Sequence, residues 1–201
     1  MQANTDKITV AEKTRANLCA RAVFGDDCEI QGYYTVEIVR DGVVIDRDVF
    51  ANTVMTIGKN HLLDNYLAAS AFTQTGPFLG MISSASYSAI SAADTSASHA
   101  GWLEAGGVNA PTWSTPAAGA RLTTSGGWSA ASAGAKALSA ALSFVMSGTG
   151  TLKGCAIWLG SGAVATNAST AGTLFSAGLF TGGDRAVISG DTVNVSYSLA
   201  V

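Results

Sequence analysis

The chain has 201 residues, of which 12% are charged, and its formal net charge is −3 with a pI near 5.2. Average proteins carry about 25% charged residues, and the weakly acidic balance argues against general nucleic-acid binding, which needs basic surface. A chain of this length can bury enough surface to fold as one domain, with or without an appendage, and needs no disulfide or metal ion to do so.

Charge divides the chain into two regions. Residues 1–66 hold 17 of the charged side chains, and residues 67–201 hold 8. We therefore divide the sequence into an N-terminal arm or edge segment, 1–32, and a β domain, 33–201. Because charged side chains protect sheet edges from association, we expect other chains to cover much of the surface of the charge-poor region, 67–201.

The first predicted element of the β domain is a hairpin. Two runs rich in β-branched and aromatic residues, 33–40 and 43–50, flank Asp41 and Gly42. An Asp-Gly pair suits the tight two-residue turn, because both central residues of that turn adopt positive φ. The sequence therefore predicts two antiparallel strands joined at these two residues.

One short helix is predicted over residues 60–69. Leu63, Tyr66 and Leu67 are spaced at i, i+3 and i+4, which places them on one face of a helix. A helix of about ten residues is marginal alone. We therefore expect its apolar stripe to pack on the sheet.

The rest of the chain predicts strands and long loops. Residues 83–135 are mostly Ser, Ala, Gly and Thr, which indicates long loops around short strands. Further strands are predicted over 78–82, 137–146, 152–159, 174–180 and 193–201. Many strands, glycine-rich turns and a single helix predict an all-β fold, an antiparallel β-sandwich or jelly-roll-like domain.

The N-terminus and the cysteines bear on the compartment. Residues 1–10, MQANTDKITV, lack the apolar segment of a secretory signal peptide, and no run approaches the roughly 18–20 apolar residues of a membrane span. Cys19, Cys28 and Cys155 have no metal-binding spacing. We expect three free thiols in a reducing cytoplasm, with a Cys19–Cys28 disulfide as the alternative.

A loop that contains Asp94 and His99 is the nearest approach to a catalytic sequence. An acid, several hydroxyls and an imidazole are the groups of a hydrolytic triad. Here they all fall within one loop, and the Gly-x-Ser-x-Gly turn of many hydrolases is missing. We therefore expect that this loop is not catalytic and that Asp94 caps a turn. The other histidine, His61, lies in the predicted helix, and we expect it to be a half-buried or polar surface residue.

Three other patterns are weak. The acidic run 26–29 lacks the spacing of a calcium loop, and Gly58-Lys59-Asn60 lacks the rest of a phosphate-binding loop. Trp102, Trp113 and Trp128 could stack on sugars or anchor an interface, but a core role for at least two of them is favoured. The sequence therefore predicts no catalytic, cofactor-binding or metal-binding residue, and no cofactor.

Several segments of the β domain, in this order along the chain, resemble a widespread group of tailed-bacteriophage structural proteins. They are YTVEIVRDG at 34–42, FANTV at 50–54, TIGKN at 56–60, LLD at 62–64, ADTSASHAGW at 93–102, EA at 104–105, TLFSA at 173–177 and GDTVNVSY at 190–197. The likeness extends over roughly residues 33–201 and does not include the first 32 residues. It implies a virion component with no catalytic residues to carry over.

The resemblance and the composition together lead to one expected function. We expect a non-enzymatic capsid decoration (cement) protein, made in the host bacterial cytoplasm and located in the virion. Its expected partners are the major capsid protein and copies of itself, as a dimer or trimer, without nucleic acid or membrane. The alternative is a tail, tail-fibre adaptor or head-fibre component, which could also bind host glycans.

Overall fold

The computed structural model describes residues 30–67, 74–115, 117–124 and 127–200. These residues form twelve strands and one helix. The strands are β1 (Gln31–Arg40), β2 (Val43–Val54), β3 (Phe78–Ser83), β4 (Leu103–Glu104), β5 (Trp113–Thr115), β6 (Leu122–Thr123), β7 (Ala135–Ala137), β8 (Leu142–Met146), β9 (Gly150–Leu159), β10 (Thr173–Leu179), β11 (Arg185–Val187) and β12 (Thr192–Ala200), and the helix is α1 (Thr56–Leu67). The all-β, antiparallel class predicted from the sequence is confirmed.

The strands form one antiparallel sheet that curls at β2. Its order is β4-β3-β9-β10-β2-β1-β12-β8-β5, with β11 beside β9, β6 beside β3 and β7 beside β12. β2 pairs with β1 along Val43 to Ala51, and only its last three residues pair with β10. We call β1, β12, β8, β7 and β5 the front half, and β10, β9, β3, β4, β6 and β11 the back half, with β2 shared between them.

Part of the core lies between the two halves. The hydroxyl oxygens of Tyr34, on β1, and Ser176, on β10, are 3.1 Å apart. Phe50 packs edge-on against Phe180 with ring centroids 5.1 Å apart. Both contacts join residues that are distant in sequence, and the first holds the front half against the back half while the second packs the shared strand β2 against the residue that follows β10.

The predicted hairpin is confirmed as β1 and β2. Asp41 and Gly42 have φ of 51° and 78°, as expected for a turn that needs two residues with positive φ. β2 continues past residue 50 to Val54. A bulge places Ile45 between the paired positions Asp46 and Val44.

The strands expected over 78–82, 152–159 and 174–180 correspond to β3, β9 and β10. The last strand, β12, also follows the predicted alternation, because Val193, Val195 and Tyr197 are buried. The glycine-rich link between β8 and β9 does not form a hairpin, since the two strands are not paired. The chain passes there from the front half to the back half.

The continuous strand expected over 137–146 is wrong. Ala137 lies opposite Ser198 and Leu142 opposite Val195, so four residues of this segment face two residues of β12. The two additional residues cannot pair with β12, so the chain leaves the ladder between β7 and β8. Leu138 still donates its amide to the carbonyl of Tyr197 at 2.9 Å.

The helix begins four residues earlier than predicted, and its expected apolar stripe does not pack on the sheet. Leu63 and Leu67 are 58% and 81% exposed, and the side chain of Tyr66 lies outside the described residues. The helix approaches β10 through Gly58, where an added Cβ would lie 2.6 Å from the Phe175 carbonyl oxygen. Because glycine has no side chain, Gly58 adds nothing to the hydrophobic pattern from which the packing face was predicted.

The predicted loop region between β3 and β7 carries only the short strands β4, β5 and β6. Its side chains pack on the outer face of the back half, where Trp102 and Ile82 lie in one buried cluster with Trp158 and Leu174. As a result, β3, β9 and β10 are buried on both faces over most of their length.

The predicted arm, residues 1–32, lies mostly outside the described residues, which begin at Ile30. The same holds for Cys19, Cys28 and the acidic run 26–29. β1 begins at Gln31. Within the part of the chain that is described, no helix is long and apolar enough to cross a membrane.

Candidate interaction surface

The loop that contains Asp94 and His99 holds a tryptophan in place. Asp94 Oδ2 accepts hydrogen bonds from Trp102 Nε1 at 2.9 Å and from the amide of Ser91 at 3.0 Å. His99 stacks on Trp102 with ring centroids 4.1 Å apart, and its Nδ1 lies 3.1 Å from the Trp102 carbonyl oxygen, to which it donates. The predicted turn-capping role of Asp94 is confirmed, and both polar side chains are directed to the tryptophan.

The remaining motif residues are placed as follows. His61 is half-buried, as expected, with its Nε2 3.2 Å from Gln74 Oε1. Gly58, Lys59 and Asn60 lie inside α1 and not in a loop. Among the described residues, no three His, Cys, Asp or Glu side chains are grouped in a way that could hold a metal ion.

Two of the three loop tryptophans belong to the core. Trp102 and Trp113 are fully buried, and Trp128 is half-buried. Trp113 Nε1 donates to the Ala120 carbonyl at 2.9 Å. The predicted core role of at least two tryptophans is confirmed, so these two rings are not surfaces on which a sugar could stack.

A buried ion pair was missed by the sequence interpretation. Arg121 Nε and Nη2 each donate to a carboxylate oxygen of Glu104 at 2.9 Å, and both side chains are fully buried. The guanidinium also lies 3.8 Å from the ring centroid of Trp158. The sequence does contain a signal for this pair. Residues 67–201 hold only eight charged side chains, so each of them, including Glu104 and Arg121, is a candidate for a structural role.

An apolar cavity of about 240 Å³ opens between the front and back halves. Leu62, Trp128, Ile157, Phe175 and Leu199 contribute to its apolar lining, together with the exposed Lys136. The Tyr197 ring also lines it. Burial raises the pKa of Tyr197 to about 12, although the hydroxyl accepts a hydrogen bond from Asn52 Nδ2 at 2.8 Å. Apart from Lys136 the lining carries no charge, so the cavity suits an apolar guest.

The outward face of the front half is nearly free of charge, and we call it the uncharged sheet face. Its outward side chains include Tyr33, Thr35, Val49, Ala51, Ser143, Asn194, Ser196 and Ser198, which share one face by the register of β1, β2, β8 and β12. Among the outward residues of these strands, only Glu37 and Arg47 are charged. They pair with each other across β1 and β2 at 3.5 Å. The face therefore presents short polar and apolar groups on a regular sheet.

The end of the hairpin carries a second surface, which we call the hairpin knob. Val43, Val44 and Ile45 are 63%, 49% and 47% exposed. The bulge at Ile45 interrupts the alternation of β2 at this point. Three adjacent aliphatic side chains therefore face solvent at the tip of the hairpin.

Comparisons with protein-family models, with curated proteins and with solved structures gave no match.

Proposed function

We propose that this protein is a non-enzymatic structural component of a tailed-bacteriophage virion, a capsid decoration protein that bridges neighbouring major capsid subunits and stabilises the shell. The proposal starts from the sequence resemblance over roughly residues 33–201. The single structural observation that carries it is the uncharged sheet face.

The composition of this face fits a surface that packs against protein. The buried centres of protein interfaces are depleted in charged residues, and the only charges on this face, Glu37 and Arg47, already neutralise each other. Ser143 and Asn194 are also joined, with Ser143 Oγ donating to Asn194 Oδ1 at 2.7 Å. Covering such a face would bury few charged groups that lack a partner.

Repetition supports a role in a shell. A surface of short side chains makes modest individual contacts. Simultaneous contacts to several subunits raise the overall affinity without any new type of contact. A protein that bridges shell subunits would gain from this effect at every joint.

The copy number of the chain in purified particles tests the proposal. We expect about one copy per one or few major capsid subunits, measured by quantitative mass spectrometry. A few copies per particle would instead favour the tail, tail-fibre adaptor or head-fibre alternative. Absence from the particles would refute a virion role.

A matched pair of variants tests the surface itself. Ser196→Arg places a long cation in the middle of the uncharged sheet face, whereas Ser161→Arg makes the same change at an exposed loop position. We expect the first variant to lose incorporation into particles and the second to keep it, with equal thermal stability. Equal incorporation of both variants would show that another surface binds the shell.

A further inference from the structure

We propose that this chain associates head to tail, with the hairpin knob of one copy inserted into the apolar cavity of the next copy. The proposal concerns the purified chain and does not depend on the virion role.

The two surfaces lie at opposite ends of the curled sheet. The knob is at the Val43 end of β2. The cavity is at the Val54 end, because Phe175 precedes Ser176, the residue paired with Val54. At the usual rise of a strand, the ends of β2 are roughly 35 Å apart. The knob therefore cannot reach the cavity of its own chain. A knob that enters this cavity must belong to another copy.

The knob needs an apolar partner. Val43, Val44 and Ile45 are adjacent and are all about half exposed or more. Burying aliphatic side chains of this size removes apolar surface from water and favours association. Contiguous exposed apolar side chains mark interaction sites, whereas isolated ones are normal on a surface.

The cavity has the size and the lining to take such side chains. A cavity of about 150 Å³ lined by aliphatic and aromatic groups stays dry and accepts a guest of the size of benzene. The cavity here measures about 240 Å³, and its exposed lining is apolar. It can therefore admit the side chains of Val44 and Ile45 without leaving a polar group unpaired.

Charge complementarity supports the pairing of the knob with the cavity. Asp41 is exposed in the turn beside the knob, while its neighbour Arg40 is held by Asp191 at 2.7 Å. The exposed Lys136 lies at the cavity. Insertion of the knob would bring this carboxylate and this ammonium group to the same side of the contact.

A contact between two different surfaces has a structural consequence. Each copy offers one knob and one cavity, so the association closes into a ring or extends as an open chain, depending on the rotation between copies. This contact differs from that of a twofold dimer, in which two identical surfaces meet, and a ring of three copies would be the trimer expected from the sequence.

Sedimentation of the purified full chain over a range of concentrations tests the contact. Val44→Asp alters the knob, and Leu199→Asp alters the cavity. Val108→Asp makes the same valine change at a fully exposed loop position. We expect the first two variants to weaken self-association by about tenfold or more and the third to leave it unchanged. If Leu199→Asp does not fold, Lys136→Glu replaces it, with a smaller expected loss.

Mixing distinguishes the head-to-tail contact from a symmetric one. The knob variant keeps its cavity and the cavity variant keeps its knob, so an equimolar mixture is expected to form a one-to-one dimer and no larger species. Failure of the mixture to associate would overturn the proposal, and association of the cavity variant with itself would overturn it in favour of knob-to-knob contact. A wild-type chain that stays monomeric up to millimolar concentration would overturn it as well.

Discussion

Glu104 and Arg121 form a bidentate ion pair that is completely buried under the loop layer of the back half. Two hydrogen bonds of 2.9 Å join them, and the Arg121 guanidinium also donates to the Ser169 carbonyl at 3.0 Å. Glu104 Oε2 accepts the amide of Ala168 at 2.8 Å. One pair therefore connects three loop segments that are far apart in the sequence.

Removing one partner of this pair is expected to destabilise the fold strongly. Glu104→Gln or Arg121→Met leaves a buried charge without its counterion, which costs about 3–5 kcal/mol. Urea unfolding measures the loss. The double variant Glu104→Leu/Arg121→Met should cost less than the sum of the single variants, because no charge stays unpaired. The exposed pair Glu37–Arg47 is the control, where Arg47→Met should cost about 0–1 kcal/mol. Equal losses at the two pairs would contradict the buried role.

Gly58→Ala is expected to change stability in the direction opposite to the usual one. Alanine in place of a helical glycine normally stabilises by about 0.5–1 kcal/mol. Here the new Cβ would lie 2.6 Å from the Phe175 carbonyl oxygen, so α1 must move away from β10 at a cost of about 1–3 kcal/mol. Thermal unfolding measures the difference. Asn60→Ala, at an exposed position of the same helix, is the control and should stabilise. A more stable Gly58→Ala variant would show that the helix is not held this closely.

Acid is expected to destabilise the protein through Asp191 and Asp48. Hydrogen bonds from Arg40 hold the pKa of Asp191 below its usual value, although burial opposes them. Burial alone would raise the pKa of Asp48, but hydrogen bonds from Thr181 and the charge of Arg185 bring it below the usual value. A carboxyl whose pKa is lower in the folded state stabilises the fold above the unfolded-state pKa of about 3.9. That contribution is lost as the pH falls through the folded-state pKa.

Urea unfolding between about pH 6 and pH 2 measures this dependence. Asp191→Asn should be less stable than wild type near neutral pH and should depend less on pH in the acid range. Asp64→Asn, at an exposed position of α1, should keep the wild-type pH profile. An unchanged profile in Asp191→Asn would mean that other groups cause the acid sensitivity.

The Cys155 thiol is expected to resist alkylation in the native protein. It is free and fully buried in β9, and burial raises its pKa well above the usual value. The thiolate is the reactive form, so iodoacetamide should label Cys155 slowly without denaturant and rapidly in urea. Mass spectrometry of the peptide that contains Cys155 measures the alkylation of this residue separately from that of Cys19 and Cys28. Rapid labelling under native conditions would indicate that β9 opens readily.

The sequence predicted the elements whose structure depends on neighbouring residues. Asp41 and Gly42 specify a turn through their own backbone conformations, and the alternation of β12 specifies which of its faces is buried. The break between β7 and β8 could not be predicted, because it arises from the pairing with β12, more than fifty residues away in the sequence. The prediction of which face of α1 packs on the sheet was wrong, because the helix approaches β10 most closely at Gly58, a residue without a side chain.

The sequence by itself determined that this chain forms antiparallel strands with a charge-poor surface, because turn chemistry, alternation and composition are properties of short segments. Only the tertiary structure decided where the scarce charges lie, with Glu104 and Arg121 inside and Glu37 and Arg47 on the sheet face. It also decided that the hairpin knob and the apolar cavity lie at opposite ends of the sheet. The physical reason is that burial depends on which distant segments meet when the sheet curls at β2, and no short segment contains that information.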